Sequence, residues 1–142
     1  MKRSLLLAVI FLITVSKSFA QSTGTDIFSD GVLKYNTSLD EVKTFAATKK
    51  NKIYDLKFTG GKYLHLLINM NEWNDENTHT IGGKLLDCDE CYLTITLYTD
   101  KGKPAVTGEL FSKLQNTAFK ISLNEAGIIS FEKTDKDKII IE

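Results

Sequence analysis

Of 142 residues, only two are cysteine, two histidine, one tryptophan and one proline. Each shortage narrows the field. Two cysteines cannot build a disulfide lattice, nor by themselves a tetrahedral zinc site. One proline and nine glycines are too few for collagen-like or low-complexity material. An excess of either charge is also missing, with 18 Lys plus Arg against 18 Asp plus Glu, the signs interspersed. Nucleic acid and anionic membrane both need a concentrated basic patch, so neither is expected as a partner. The longest apolar run, Leu5 to Val15, is eleven residues. A bilayer-spanning helix needs about 20, and no stable membrane insertion is expected. There is no G-x-S-x-G, no H-E-x-x-H and no phosphate-cradling glycine loop before a helix, so no catalytic residue is assigned. No convincing repeat is present.

What is there begins with an address. Lys2 and Arg3 precede the apolar run, and Ser18-Phe19-Ala20 offers small residues before Gln21. This reads as a secretory signal peptide over residues 1–20, with export to a periplasmic or extracellular, oxidising compartment. Cleavage would leave 122 of the 142 residues, one domain in size. Loss of Lys2, Arg3 and Lys17 would leave 15 cations against 18 acids, a net charge of −3. Residues 21–30 are polar and small and read as a flexible lead-in to a single β-rich domain over 31–142.

Within that domain one helix stands out near residues 38–49. Ser38 and Glu41 form a capping box, and Leu39, Val42, Phe45 and Ala46 recur at helical spacing. Lys49-Lys50 suits the helix's negative end. After a short strand at 31–36 and this helix, the period becomes two. Tyr54, Leu56 and Phe58 share one face, and Gly60-Gly61 makes a two-residue turn. The return strand Tyr63–Met70 sets Leu64, Leu66, Ile68 and Met70 on one side. Further strands are expected at Thr80–Leu86, Tyr92–Tyr98, Ala105–Phe111, Ala118–Leu123, Ile128–Glu132 and Lys138–Ile141. Strands at this spacing predict an α+β, mostly β chain: an antiparallel β-sandwich of Ig-like or transthyretin-like size with one helix.

Cys88 and Cys91 stand three apart, as C-x-x-C, in a turn between two of these strands. A structural disulfide is the leading reading, since β-turn ends lie within or near disulfide range and export supplies the oxidant. A redox pair is the second reading, although Asp87, Asp89 and Glu90 oppose a thiolate and no helix follows. Half of a zinc site is the third. It needs His65 and His79, and pairing across the loop would set His79 opposite Met70, with His65 roughly 16 Å further along. No metal and no cofactor is expected.

The stretch Ser38 to Phe58 faintly resembles the helix-then-strand segment before the active site of thioredoxin-like proteins. That family carries its C-x-x-C directly after the strand, where this chain has Gly60-Gly61-Lys62-Tyr63. Ile81–Asp87 followed by Gly102-Lys103-Pro104 is a little similar to the carboxypeptidase regulatory and transthyretin-like β-sandwiches. The stretch Cys88–Tyr98 departs from their pattern, and no family is assigned.

The polar segment between the third and fourth expected strands is the candidate binding loop. Asn71, Glu72, Trp73, Asn74 and Asp75 carry it, with the chain's only tryptophan at its centre. Trp73 suits a stacking platform for a sugar ring or a protein partner. The carboxylates do not follow EF-hand spacing. A solvated connection whose tryptophan folds back onto the domain is the bland alternative. The function expected is a small exported, non-catalytic binding or accessory module acting through a loop or sheet edge. An inhibitor or immunity-type protein that blocks an enzyme, and a redox or metal protein centred on Cys88 and Cys91, are the alternatives.

Overall fold

A computed structural model of the protein describes residues 24–139. Residues 1–20, read from the sequence as a signal peptide, and residues 21–23 lie outside the described residues. The chain runs β1 (Lys34–Ser38), α1 (Leu39–Ala46), β2 (Ile53–Lys57), β3 (Tyr63–Asp75), β4 (Thr78–Leu85), β5 (Cys91–Asp100), β6 (Lys103–Ser112), β7 (Thr117–Leu123), β8 (Ile128–Asp135) and a final turn, α2 (Lys136–Ile139).

The fold is antiparallel and β-rich, as the period-two pattern predicted, but the strands do not split into two facing sheets. All eight belong to one sheet in the order β1-β8-β7-β6-β5-β4-β3-β2. From β2 to β8 each strand pairs with the next in sequence, an up-and-down meander that curls until its two edges almost meet. Thr59 N–H donates to the Asn36 carbonyl at 2.8 Å and Thr37 Oγ1 donates to the Lys57 carbonyl at 2.7 Å. These bonds tie β1 to the β2 side without a full ladder, so the sheet is a nearly closed barrel. Closure removes the exposed edges that an open sheet would offer to other chains. β6 passes close over β5 at Gly108, where a Cβ would collide with the Thr94 carbonyl.

The interior is filled by the inward residues of these strands. Phe58, Phe119 and Phe131 gather with Tyr35, their neighbouring ring centroids 5.0–6.0 Å apart. Residues 24–28, expected to be part of a flexible lead-in, instead dock across this end of the barrel. Ile27 is fully buried, Phe28 packs edge-on against Phe119, and Thr25 N–H bonds the Tyr63 carbonyl at 2.7 Å.

The helix begins where expected and ends early. Ser38 Oγ accepts from Glu41 N–H at 3.1 Å, the first half of the capping box. The second half does not form. Glu41 Oε1 accepts instead from Tyr54 Oη and Lys57 N–H, both at 3.0 Å, so tertiary donors outcompete the local one. Burial and the Glu41 carboxylate push the Tyr54 phenol up to about 12. Val42 and Phe45 are fully buried and seat α1 at the opposite end from Ile27. Gly60 and Gly61 both take positive φ, 95° and 87°, in the tight β2–β3 turn.

The expected last strand is not found among the described residues. Lys138 and Ile139 lie in the α2 turn, and residues 140–142 are outside the described residues. The β7–β8 ladder runs out at Thr117↔Asp135, the first residue of β7. The chain therefore turns away, with Lys136 N–H on the Asn116 carbonyl at 2.9 Å.

Candidate functional site

The segment read as a polar loop is the outer half of a long β-hairpin. β3 continues to Asp75 and β4 restarts at Thr78, pairing Trp73 with His79 and Asn71 with Ile81. One irregularity decides which side chains face inward. The register shifts between Ile68 and Met70, leaving Asn69 as an extra residue. Without it, Met70 would follow Leu64, Leu66 and Ile68 into the interior. The bulge turns Met70 to the outer face beside Gly82 and aims Asn71 and Trp73 inward.

Asn71 then joins three elements. Its Nδ2 donates to the Ala46 carbonyl at 3.0 Å and the Thr48 carbonyl at 2.6 Å, which closes the end of α1. Since its amide hydrogens are committed to carbonyls, its Oδ1 must accept, and His79 Nε2 donates to it at 2.6 Å. That hydrogen bond fixes the tautomer of neutral His79. Burial lowers the His79 pKa below its ordinary value, so the ring is uncharged at neutral pH. Trp73 lies flat on it, with ring centroids 4.4 Å apart and planes 8° from parallel. His79 is only 9% exposed beneath this cover, while Trp73 remains 67% exposed.

Between this hairpin, α1 and the β5–β6 hairpin lies a cavity of about 710 Å³. Leu39, Lys43, Ala46 and Ala47 form its helical wall. Asn71, Trp73 and His79 form the second, and Leu97, Thr99 and Pro104 the third. It is the open mouth of the barrel, and its size falls within the roughly 300–1,000 Å³ of small-molecule sites.

Of the five loop residues singled out from the sequence, Asn71 and Trp73 line this cavity. Glu72 lies on the outer face with Met70, Tyr92 and Phe111. Asn74 Nδ2 donates to Thr80 Oγ1 at 2.7 Å. Asp75 Oδ1 accepts from Asn77 N–H at 2.8 Å, and this backbone bond is the chief reason its carboxyl sits below the usual range. Trp73 does not fold back into the core; it folds onto one imidazole and keeps its other face free. The helical wall was missed, although Leu39, Lys43, Ala46 and Ala47 stand at spacings that share a helix face.

The other candidates sit elsewhere. Cys88 and Cys91 are joined as a disulfide across the β4–β5 turn, with Cα atoms 5.6 Å apart. The pair lies at the closed end, where Cys88 borders Thr25, Asp26 and Ile27. Gly24 N–H bonds the neighbouring Asp87 Oδ2 at 2.6 Å. His65 pairs with Asp55 on β2 and, on β3, lies well away from His79, which faces Trp73 rather than Met70. Among the described residues no three His, Cys, Asp or Glu side chains gather as metal ligands would, and no helix is long and apolar enough to cross a membrane.

No family model, no curated protein and no solved structure matches this chain. The site has to be read from its own chemistry. It offers an aromatic platform, a neutral imidazole with its proton tied to an amide, apolar walls from three elements and a single ammonium. Among the described residues no carboxylate lines it.

Proposed function

We propose that this protein is an exported, non-catalytic binding module that takes a small ligand in the mouth of its barrel, between α1 and the Trp73 hairpin. The observation that carries the reading is the cavity of about 710 Å³, in a fold whose remaining interior is packed with side chains. Eight-stranded barrels are just wide enough to be filled by side chains or to hold one small ligand. Here the aromatic cluster fills one end and α1 stops short of filling the other. The hydrogen bonds of Asn71 and His79 are spent on holding the walls, which favours binding over turnover. The export reading rests on residues 1–20 alone.

The site differs from the loop or sheet edge expected at first: the ligand enters a concave mouth, and β1 and β2 shelter each other's edges. For the disulfide the reading is structural. It closes a turn at the end where residues 24–28 dock, with Asp87, Asp89 and Glu90 around it.

Trp73 is the only tryptophan, so its fluorescence reports on the mouth alone. Titration with an uncharged aromatic probe, N-phenylnaphthylamine, should quench it saturably at one probe per chain. A Leu97→Arg variant, which places a long charged side chain in the cavity, should abolish that quenching while the protein remains folded. Unsaturable quenching, or quenching that survives in Leu97→Arg, would remove the mouth from consideration.

A further inference from the structure

The charges and planes around the mouth narrow the ligand further. Lys43 is the one charged side chain among the lining residues. It makes no ion pair among the described residues. The acids on its own helix and at the tip of the facing hairpin are committed or turned elsewhere. Glu41 is held by Tyr54 and Lys57, and Asp75 by the backbone of its own turn. Asp40, on α1, does not line the cavity. An anion beside Lys43 therefore meets no carboxylate lining the same space. On the facing wall, Trp73 presents one flat face already braced from behind by His79. A braced ring costs little ordering when a second ring stacks on it.

Leu39, Ala46, Leu97 and Pro104 surround that face with apolar surface. A sugar ring also stacks on tryptophan, but its hydroxyls need a surround of hydrogen-bonding groups. Here the amide of Asn71 is already engaged on both sides, which leaves Asn77, Tyr98 and Thr99 as the lining side chains that a sugar would have to use, and competition with maltose separates the two ligand classes.

Resting on the mouth-cavity reading, we propose that the ligand is a planar aromatic anion. Its ring stacks on the free face of Trp73, and its acidic group, a carboxylate or sulfonate, pairs with Lys43. Both contacts are needed at once, because neither a lone exposed lysine nor a lone exposed tryptophan selects a ligand. The ring supplies the apolar area, and the charge sets orientation and excludes cations.

The test compares two probes of the same ring system on the purified protein: anilinonaphthalenesulfonate, which is anionic, and N-phenylnaphthylamine, which is not. The anionic probe should bind more tightly, at one per chain, with Trp73 quenched. In Lys43→Gln the ratio of the two affinities should fall by about fivefold, the scale of one charge-assisted contact at a half-open site. Lys43→Arg should restore most of it, and added salt should weaken only the anionic probe. Equal affinities in the parent protein, or a ratio unchanged in Lys43→Gln, would overturn the anion assignment and leave the cavity reading standing. Displacement of either probe by millimolar maltose, with no displacement by naphthoate, would overturn it in favour of a neutral sugar. If neither probe binds, or if both bind equally well to Trp73→Leu, the cavity reading itself falls and takes this inference with it.

Discussion

At one end of the barrel Ile27 and Phe28 close over Phe119, Tyr35 and Phe58, and the neighbouring turn is stapled by Cys88–Cys91. At the other end α1 covers the barrel with Val42 and Phe45 but leaves Trp73, Leu97 and Pro104 facing a space. The same strands run through both ends. The difference is in what each end does with its aromatic rings. At the closed end rings pack on rings, and the gain is burial. At the open end Phe45 also packs on Tyr54, but Trp73 is laid on a buried imidazole and kept out of the core, which forgoes stabilisation for an available face. Stability should therefore be concentrated at one end and recognition at the other.

The largest expected effect breaks the closed end. Phe131→Ala leaves a void among Phe58, Ile121 and Tyr35 and should cost about 3–5 kcal/mol, read as a loss of urea midpoint. Trp73→Ala should stay within about 0.5 kcal/mol of the parent while losing probe binding, because the ring is mostly exposed. If Trp73→Ala destabilises as much as Phe131→Ala, the division between the ends does not hold.

Next in size is Asn71→Ala at the open end. It strips the Ala46 and Thr48 carbonyls and His79 of one shared partner and should cost about 2 kcal/mol. Hydrogen exchange should show α1 loosening before the β6–β8 strands. A variant with unchanged exchange in α1 would mean that Val42 and Phe45 hold the helix unaided.

Replacing Cys88 and Cys91 together by Ser should cost about 2 kcal/mol or less, since the closed loop is short, and should leave probe binding at the far end unaffected. Thiol titration of the air-purified parent should find neither group free. Two free thiols, or loss of probe binding in the double variant, would contradict a purely structural disulfide.

The smallest effect is a pH dependence. Burial depresses the folded-state pKa of His79, so the unfolded chain binds its proton more readily. This contribution is fully present above the ordinary histidine value of about 6.5 and is lost as pH falls through that value toward the folded pKa. Urea midpoints at pH 7.5 and 5.5 should therefore drop more in the parent than in His79→Gln. An equal drop in both would assign the pH dependence to groups outside the open end.

Much of the local structure was legible because it is written in short-range patterns. Alternation in Tyr54–Phe58 and Leu93–Leu97, positive φ at Gly60-Gly61 and the Ser38 cap each depend on neighbours within a few residues. The spacing of Cys88 and Cys91 belongs with them, since a turn brings four-residue ends together whatever surrounds it. The functional site was only half legible. Trp73 and Asn71 were singled out by composition, but their direction depended on the Asn69 bulge, where alternation fails and Met70 turns outward.

Taken alone, then, the amino-acid order determined where the helix starts, which cysteines can meet and the central part of each of the eight strands, but neither the outer half of β3 nor the turn at Lys136–Ile139. Only the tertiary structure decided that eight strands form one sheet curled nearly shut, since period-two alternation names a strand's faces but not its partners. It diverted Glu41 from its own helix cap to Tyr54 and Lys57, because donors arriving from β2 outcompete one backbone N–H. It also brought Lys43 across from Trp73. Nothing within either segment encodes the other, and the cavity between them exists only where barrel curvature and the seating of α1 leave the mouth unfilled.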